Sequence, residues 1–367
     1  MLKQYKLRDY KFRLIIWLLA ISFIGVLVIG SAQHDIQDKQ ILGVILGVVI
    51  MLILSFIDYG FILNLHWLMY IANLALLLYV EYRGRAGGGA ERWVKIAGIV
   101  FQPSELSKIL LILFFAKFIM DHEETLNTLK TLLQAIVLLA IPVALIMRQP
   151  DLSSSLVILV TFCILIYIGG LKYKIIGGII VIAIPLIAVF FALILQPDQK
   201  ILKGYQAERI LLWLKPEVEN DKKEQQDNSK IAIASGQLYG KGLNNEDVSS
   251  VKNSKRLSQA QTDFIFAVVG EELGFIGSCT VIFLLLLITL ECIFIGQKAK
   301  DLAGTLICCG MGSLIGIQGF FNMGVATGLL PNTGLPLPFV SYGLTSLVSL
   351  YIGMGIVLNI GLQSRKY

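Results

Sequence analysis

Charge is scarce in this 367-residue chain: 15% of it is Asp, Glu, Lys or Arg, against 56% hydrophobic. With a mean hydropathy of +0.75 it is too apolar for a soluble domain and too long for a simple anchor. Cysteine is sparse as well. Cys163, Cys279, Cys292, Cys308 and Cys309 fall in or beside apolar segments, which excludes a disulfide framework or a zinc cluster and leaves them as small packing residues. The excess of positive charge is small, 31 Lys and Arg against 25 Asp and Glu, and is spread over loops; no nucleic-acid partner is implied. The first apolar run, 13–30, lacks a small-residue cleavage site and is followed by many others, so it reads as a first helix and not a removed signal peptide. No repeat of solenoid period is present.

What is abundant is apolar runs of about 20 residues, the length that crosses a bilayer as helix. Ten are expected, at 13–30, 41–58, 61–80, 100–119, 131–147, 154–170, 174–195, 264–290, 302–328 and 338–360. The fold class is therefore an all-α polytopic membrane protein: one domain over 1–367, with a large extracellular loop, 196–263, between the seventh and eighth spans. An even number puts both termini on one side. Lys3, Lys6, Arg8, Lys11 and Arg13 at the N-terminus, Lys172 and Lys174 after the sixth span, and Arg365 and Lys366 in the tail make that side cytoplasmic by the positive-inside rule. Loops 81–99 and 196–263 then face outward. Within the second, Lys215–Lys230 (KPEVENDKKEQQDNSK) is a mixed-charge run without apolar periodicity, expected to be a solvated excursion. Ile231–Leu243, with Gly236, Gly240 and Gly242, suits a segment folding back onto the outer membrane face.

Polar residues concentrate at a few boundaries. In Gln261–Gly277 (QTDFIFAVVGEELGFIG) the long loop re-enters an apolar helix, leaving Asp263, Glu271 and Glu272 near the membrane edge. Capping of the helix would explain Asp263 alone; two more carboxylates in an apolar run point to function. Pro103 starts a helix in which Glu105 and Lys108, three apart, share a face, either as a neutralising ion pair or as the lining of a cavity whose lysine meets an anion. Trp93, just before, is either an interfacial anchor or part of that lining. In RQPDLSSSL, Asp151 is expected to cap the next helix, while Arg148 has no such structural excuse. Gln318 and Asn322, four apart, precede Gly328–Ser341 (GLLPNTGLPLPFVS), whose three prolines and two glycines prohibit continuous helix and suggest a structured turn beside a polar cavity.

Taken in this order on a ten-span chain, RWVKIAGIVFQPSELSK, RQPDLSSSL, SGQLYGKG, QTDFIFAVVGEELGFIG and GLLPNTGLPLPFVSYG resemble the SEDS family of cell-wall polymerases, the RodA, FtsW and SpoVE proteins. The PLPF run and the TDFIFAV form look more like the elongation member, RodA, than the division member. Two departures stand out: the usual SYGGSS ending reads Ser341-Tyr342-Gly343-Leu344-Thr345-Ser346, and Ser153-Ser154-Ser155 replaces a Gly-containing form. The resemblance implies a peptidoglycan glycosyltransferase that joins lipid II units at the outer face of the cytoplasmic membrane and releases undecaprenyl pyrophosphate. Asp263 matches the family's essential carboxylate, and Trp93, Glu105 and Lys108 its supporting residues. Two roles are open to Asp263, general base or ligand of a divalent cation, Mg²⁺ or Mn²⁺, with Glu271 as the neighbour expected to tune it. Lys108, Arg92, Arg148 and Arg209 are the cations available to the leaving pyrophosphate. Implied partners are lipid II, the undecaprenyl-linked glycan, membrane lipids and a class B penicillin-binding protein. A lipid carrier flippase or a non-catalytic scaffold for that protein is the alternative.

Overall fold

The computed structural model describes residues 9–83, 85–87, 90–96, 99–149, 151–178, 181, 221–244 and 260–364. Among these, nine of the ten expected spans are helices. They are α1 (Phe12–Ala32), α2 (Gln37–Ser55), a third span in two pieces, α3 (Tyr59–Asn64) and α4 (His66–Arg83), then α5 (Pro103–Asp121), α6 (Leu129–Arg148), α7 (Leu152–Ile168), α9 (Ile265–Gln297), α10 (Leu302–Ala326) and α11 (Leu344–Leu362). The seventh expected span, 174–195, lies mostly outside the described residues. Asp221–Ser235 forms α8 inside the large loop.

Among the described residues six helical stretches, including 34–55 around α2, are by themselves long and apolar enough to cross a membrane. α5 is not among them because it carries Glu105, Lys108, Lys117 and Asp121. Glu105 and Lys108 are tolerated because α5 is central: from Pro103 to Ile119 almost every residue is buried, against α4, α7, α10 and α11, while Lys117 and Asp121 pair with each other at 2.6 Å near its end. The outer helices instead expose large apolar side chains, such as Phe23 (64%), Leu42 (61%) and Leu68 (60%), as lipid contact requires. Glycine sets the closest approaches. A Cβ at Gly47 would lie 2.3 Å from the Tyr351 ring and one at Gly355 2.7 Å from the Met51 carbonyl, which is why α2 and α11 pack so closely. Gly43 leaves room for Leu344, which stands where the SYGGSS pattern has its second glycine.

Two loops differ from expectation. From the 81–99 loop into the start of the next expected span, the chain forms a small antiparallel meander, β1 (Arg85–Gly87), β2 (Ala90–Ile96) and β3 (Ile99–Phe101), in the order β1-β2-β3. The mixed-charge run is not a solvated excursion from Asp221 onward: α8 lies against α9 and the end of α10. Its polar side chains donate to carbonyls at and just beyond the C-terminal end of α10. Gln226 donates to the carbonyls of Val325 (2.9 Å) and Leu330 (2.8 Å), and Ser229 to that of Ala326 (2.8 Å). Docking by side-chain amide and hydroxyl leaves no apolar period in the sequence, so hydropathy alone does not reveal it.

Candidate active site

Asp263 stands in a turn, 260–264, that ends the large loop, and the 327–343 connection between α10 and α11 holds this turn from below. Ser341 donates its hydroxyl to the Thr262 carbonyl (2.6 Å) and accepts from the Leu337 N–H (2.7 Å), while the Tyr342 N–H donates to the Gln261 carbonyl (2.9 Å). Burial raises the Tyr342 phenol above its ordinary pKa. Proline and glycine shape the connection as the sequence predicts. Gly328 and Gly334 take positive φ, and so does Phe339 at 63°, a conformation costly for a non-glycine residue and held by packing of its buried ring against Tyr351. A Cβ at Gly334 would sit 3.2 Å from Asp263 Oδ2, so the loop backbone passes directly beside the carboxylate. Phe264, not Asp263, occupies the N-cap position of α9 and supplies no side-chain cap. Asp263 itself is half-buried.

Beneath the loop lies the buried ion pair. Lys108 Nζ donates to Glu105 Oε1 (2.8 Å) and to Gln318 Oε1 (2.9 Å); the lysine is 3% and the glutamate 4% exposed. Gln318 passes the connection on, donating through Nε2 to the Pro336 carbonyl (2.9 Å). One turn along α10, Asn322 donates to the carbonyls of both Asp263 (2.9 Å) and Leu335 (2.7 Å). Lys108 also borders a narrow apolar crevice between α5, α6, α7 and α10, lined by Phe115, Leu139, Ile158 and Thr161 among others.

Four helices begin at this end. α5 meets α11 where the Gln102 N–H donates to Thr345 Oγ1 (3.3 Å), and α5 meets α7 where the Ser104 hydroxyl donates to Asp151 Oδ2 (3.0 Å). α7 reaches the loop through a Ser153 hydroxyl donated to the Thr333 carbonyl. α9 starts at the Asp263 turn. Asp151 caps α7 as expected, accepting from the Ser154 N–H (3.1 Å) and hydroxyl (2.9 Å). α5, α9 and α11 carry no such cap from their N-cap side chains. All three hydroxyls of the Ser153-Ser154-Ser155 run are used here, which accounts for that departure. Replacing Asp151, 3% exposed, with Ala is expected to cost about 2 kcal/mol, the upper end for a lost cap, because Ser104 loses its acceptor too; thermal unfolding in detergent reads it.

The SGQLYGKG segment does more than rest on the membrane face. α9 leaves helical geometry at Gly274 (φ 66°, ψ −161°), and the segment fills the break. The N–H groups of Lys241 and Gly242 donate to the carbonyls of Glu271 (2.9 Å) and Glu272 (3.0 Å). In return the Phe275 and Ile276 N–H groups donate to the carbonyls of Gln237 (2.9 Å) and Leu238 (3.2 Å). Glu271, 1% exposed, pairs with Lys241 Nζ at 2.7 Å, and Glu272 accepts from the Ser31 hydroxyl of α1. These two glutamates thus fasten the large loop to the bundle.

Other sequence candidates fall elsewhere. Trp93 lies in β2, half-buried, paired in register with Arg85. Arg92 shares that strand, though its side chain lies outside what the structure describes, as does all of Arg209. Arg148, with 71% of its side chain exposed, pairs with Glu81 at 3.3 Å, and no contact among the described residues ties it to the Asp263 turn. Asn322 and Gln318 carry more of the site than a polar pair beside a turn suggests, and their i, i+4 spacing just before a helix-breaking stretch is the signal the sequence offers.

Fold and site together define a class: a polytopic membrane bundle whose helix ends and proline-rich loop frame a carboxylate over a buried ion pair. Residues 11–366 match the family described as "Cell cycle protein", that of FtsW, RodA and SpoVE, and the chain belongs to it. It is 32% identical over 380 residues to a probable peptidoglycan glycosyltransferase FtsW of Geobacter metallireducens, covering 98% of this chain and 96% of that one. To the peptidoglycan glycosyltransferase MrdB of Escherichia coli it is 33% identical over 347 residues, 94% and 91% of the two chains. Among solved structures it is similar to a chain described under "Structural coordination of polymerization and crosslinking by a peptidoglycan synthase complex". The TM-score is 0.81 and the identity 28%, over 96% of this chain and 97% of that one. The rod shape determining protein RodA of Thermus thermophilus follows at TM-score 0.71 and 25% identity, over 98% of each.

Proposed function

We propose that this chain is a peptidoglycan glycosyltransferase that joins lipid II disaccharides into glycan strands for cell elongation and shape. The single observation that carries the reading is the placement of Asp263. A half-buried carboxylate is held through its own peptide oxygen and through the neighbouring Thr262 and Gln261 carbonyls, in a bundle of a family whose named relatives are peptidoglycan glycosyltransferases.

In this reading the 4-hydroxyl of one disaccharide attacks the anomeric carbon of another. The new glycosidic bond forms as the bond to the pyrophosphate oxygen breaks, configuration inverts, and the hydroxyl proton passes to Asp263 as general base. The departing pyrophosphate is met by Lys108 and by the N–H ends of α5, α9 and α11, whose helix dipoles favour an anion. Among the described residues no cluster of three or more His, Cys, Asp or Glu could hold a metal ion. A single carboxylate fits an ion that arrives with phosphate: Mg²⁺ or Mn²⁺ held by Asp263 and the substrate's own oxygens would neutralise the leaving group. Basic residues at the N-terminus favour cytoplasmic termini and an outward-facing site, in the cytoplasmic membrane of a bacterium. A class B penicillin-binding protein is the partner this reading names, supported by the similarity to a chain of a synthase complex that coordinates polymerization and crosslinking.

The test supplies purified full-length chain, with and without a class B partner, with lipid II and Mg²⁺, and resolves glycan products on a gel. Polymer is the expected result. Absence of polymer under every condition, with movement of labelled lipid II across vesicles, would replace the polymerase reading with the flippase one.

A further inference from the structure

α10 carries two carboxamides on one face, and each grips the loop beside Asp263. Asn322 is 1% exposed and its orientation is fixed: both Nδ2 hydrogens are used, one on the Asp263 carbonyl and one on the Leu335 carbonyl. Turning the amide over would set Oδ1 against two carbonyl oxygens. Gln318, a turn earlier, is equally fixed, since its oxygen accepts from Lys108 while its nitrogen donates to the Pro336 carbonyl. One amide thus bridges the carboxylate-bearing turn and the loop, and the other bridges the same loop and the buried lysine.

We infer that Asn322 is a positioning residue for Asp263, and that Gln318 couples this placement to Lys108, so the carboxylate and the anion-facing cation move as one unit on the α10 face. The inference rests on the reading of Asp263 as the functional carboxylate. Its physical basis is that a buried carbonyl deprived of its donor must find another or shift. At the mouth of a helix a shift of the Asp263 peptide swings the carboxylate with it. Gly334, having no Cβ, leaves room for the Asp263 carboxylate, whose Oδ2 a Cβ there would meet at 3.2 Å.

Three variants of the full chain test it, assayed for kcat and KM on lipid II and for thermal unfolding. Asn322→Leu keeps the shape and removes both donors; kcat is expected to fall about 100-fold, the loss typical of a misplacement near 1 Å, with KM nearly unchanged. Asn322→Ser retains one short donor and should lie between Leu and wild type, which also covers the case in which the leucine variant does not fold. Gln318→Met cuts the link to Lys108 and should reproduce the same split between kcat and KM. A wild-type kcat per folded molecule in Asn322→Leu, or in Asn322→Ser if only that variant folds, overturns the inference, as does a rise in KM with kcat preserved. Asp263→Asn run in parallel separates the two failures. If that variant is inactive and the Asn322 variants are normal, only the positioning role falls; if it is active, the reading of the site falls first.

Discussion

Lys108→Met is expected to lower both stability and turnover, and for separable reasons. Methionine matches the aliphatic stem but leaves Glu105, 4% exposed, without its cation, and breaking a buried pair from one side costs about 3–5 kcal/mol. Adding Glu105→Gln removes the stranded charge, so the double variant should regain most of the lost unfolding temperature. Turnover should not return with it. If the lysine meets a leaving pyrophosphate, its loss costs on the order of 10²–10³-fold in kcat whether or not residue 105 is charged. Recovery of wild-type activity in the double variant would reduce Lys108 to a counter-ion. Unfolding and polymerisation measured on wild type, each single variant and the double variant decide the matter.

Gly240→Val is the second large effect, and it acts on the loop. Gly240 sits at φ +80°, where its missing Cβ would lie 2.1 Å from the Glu272 carbonyl oxygen and 2.7 Å from the Gly274 nitrogen. Both are backbone atoms of the α9 break, so no side chain can step aside. A β-branched residue in this conformation costs roughly 1–2 kcal/mol before any clash. The segment is therefore expected to leave its slot, uncovering the carbonyls of Glu271 and Glu272 that Lys241 and Gly242 now pair. Limited proteolysis should then cut within 236–244 while the bundle stays intact, and polymerisation should fall at least about tenfold, because α9 begins at the Asp263 turn and its first two turns lose their support. A protected loop with normal activity would show that the slot tolerates a side chain and that the segment is ornamental to the chemistry.

Much of the membrane architecture was legible because hydrophobic length is a strong signal and small-residue spacing a fair one: Gly43 and Gly47 do mark the seam between α2 and α11. The helix-breaking stretch after Asn322 was legible for a local reason, since prolines and glycines forbid a single conformation and prescribe another. What escaped was everything that depends on partners distant in sequence. Nothing in KPEVENDKKEQQDNSK reveals that Gln226 and Ser229 find the end of α10 a hundred residues on, because side-chain docking onto carbonyls has no period. The same holds for Arg148, whose lack of a local explanation suggested function, and which pairs instead with Glu81, 67 residues earlier. Gly236 and Gly240 did suggest a segment folding back onto the membrane face, but only the structure joins them to Gly274 across the α9 break.

The most direct test of the account is Asp263→Asn, nearly the same size and without an ionisable proton acceptor. Labelled lipid II binding and glycan polymerisation are measured on the same purified protein, with Mg²⁺ and the class B partner present. The account predicts binding close to wild type and polymer formation reduced by about 10²–10⁴-fold, the range for removal of a general base. Polymer made by the variant at the wild-type rate would contradict it and leave Asp263 a structural residue of the turn.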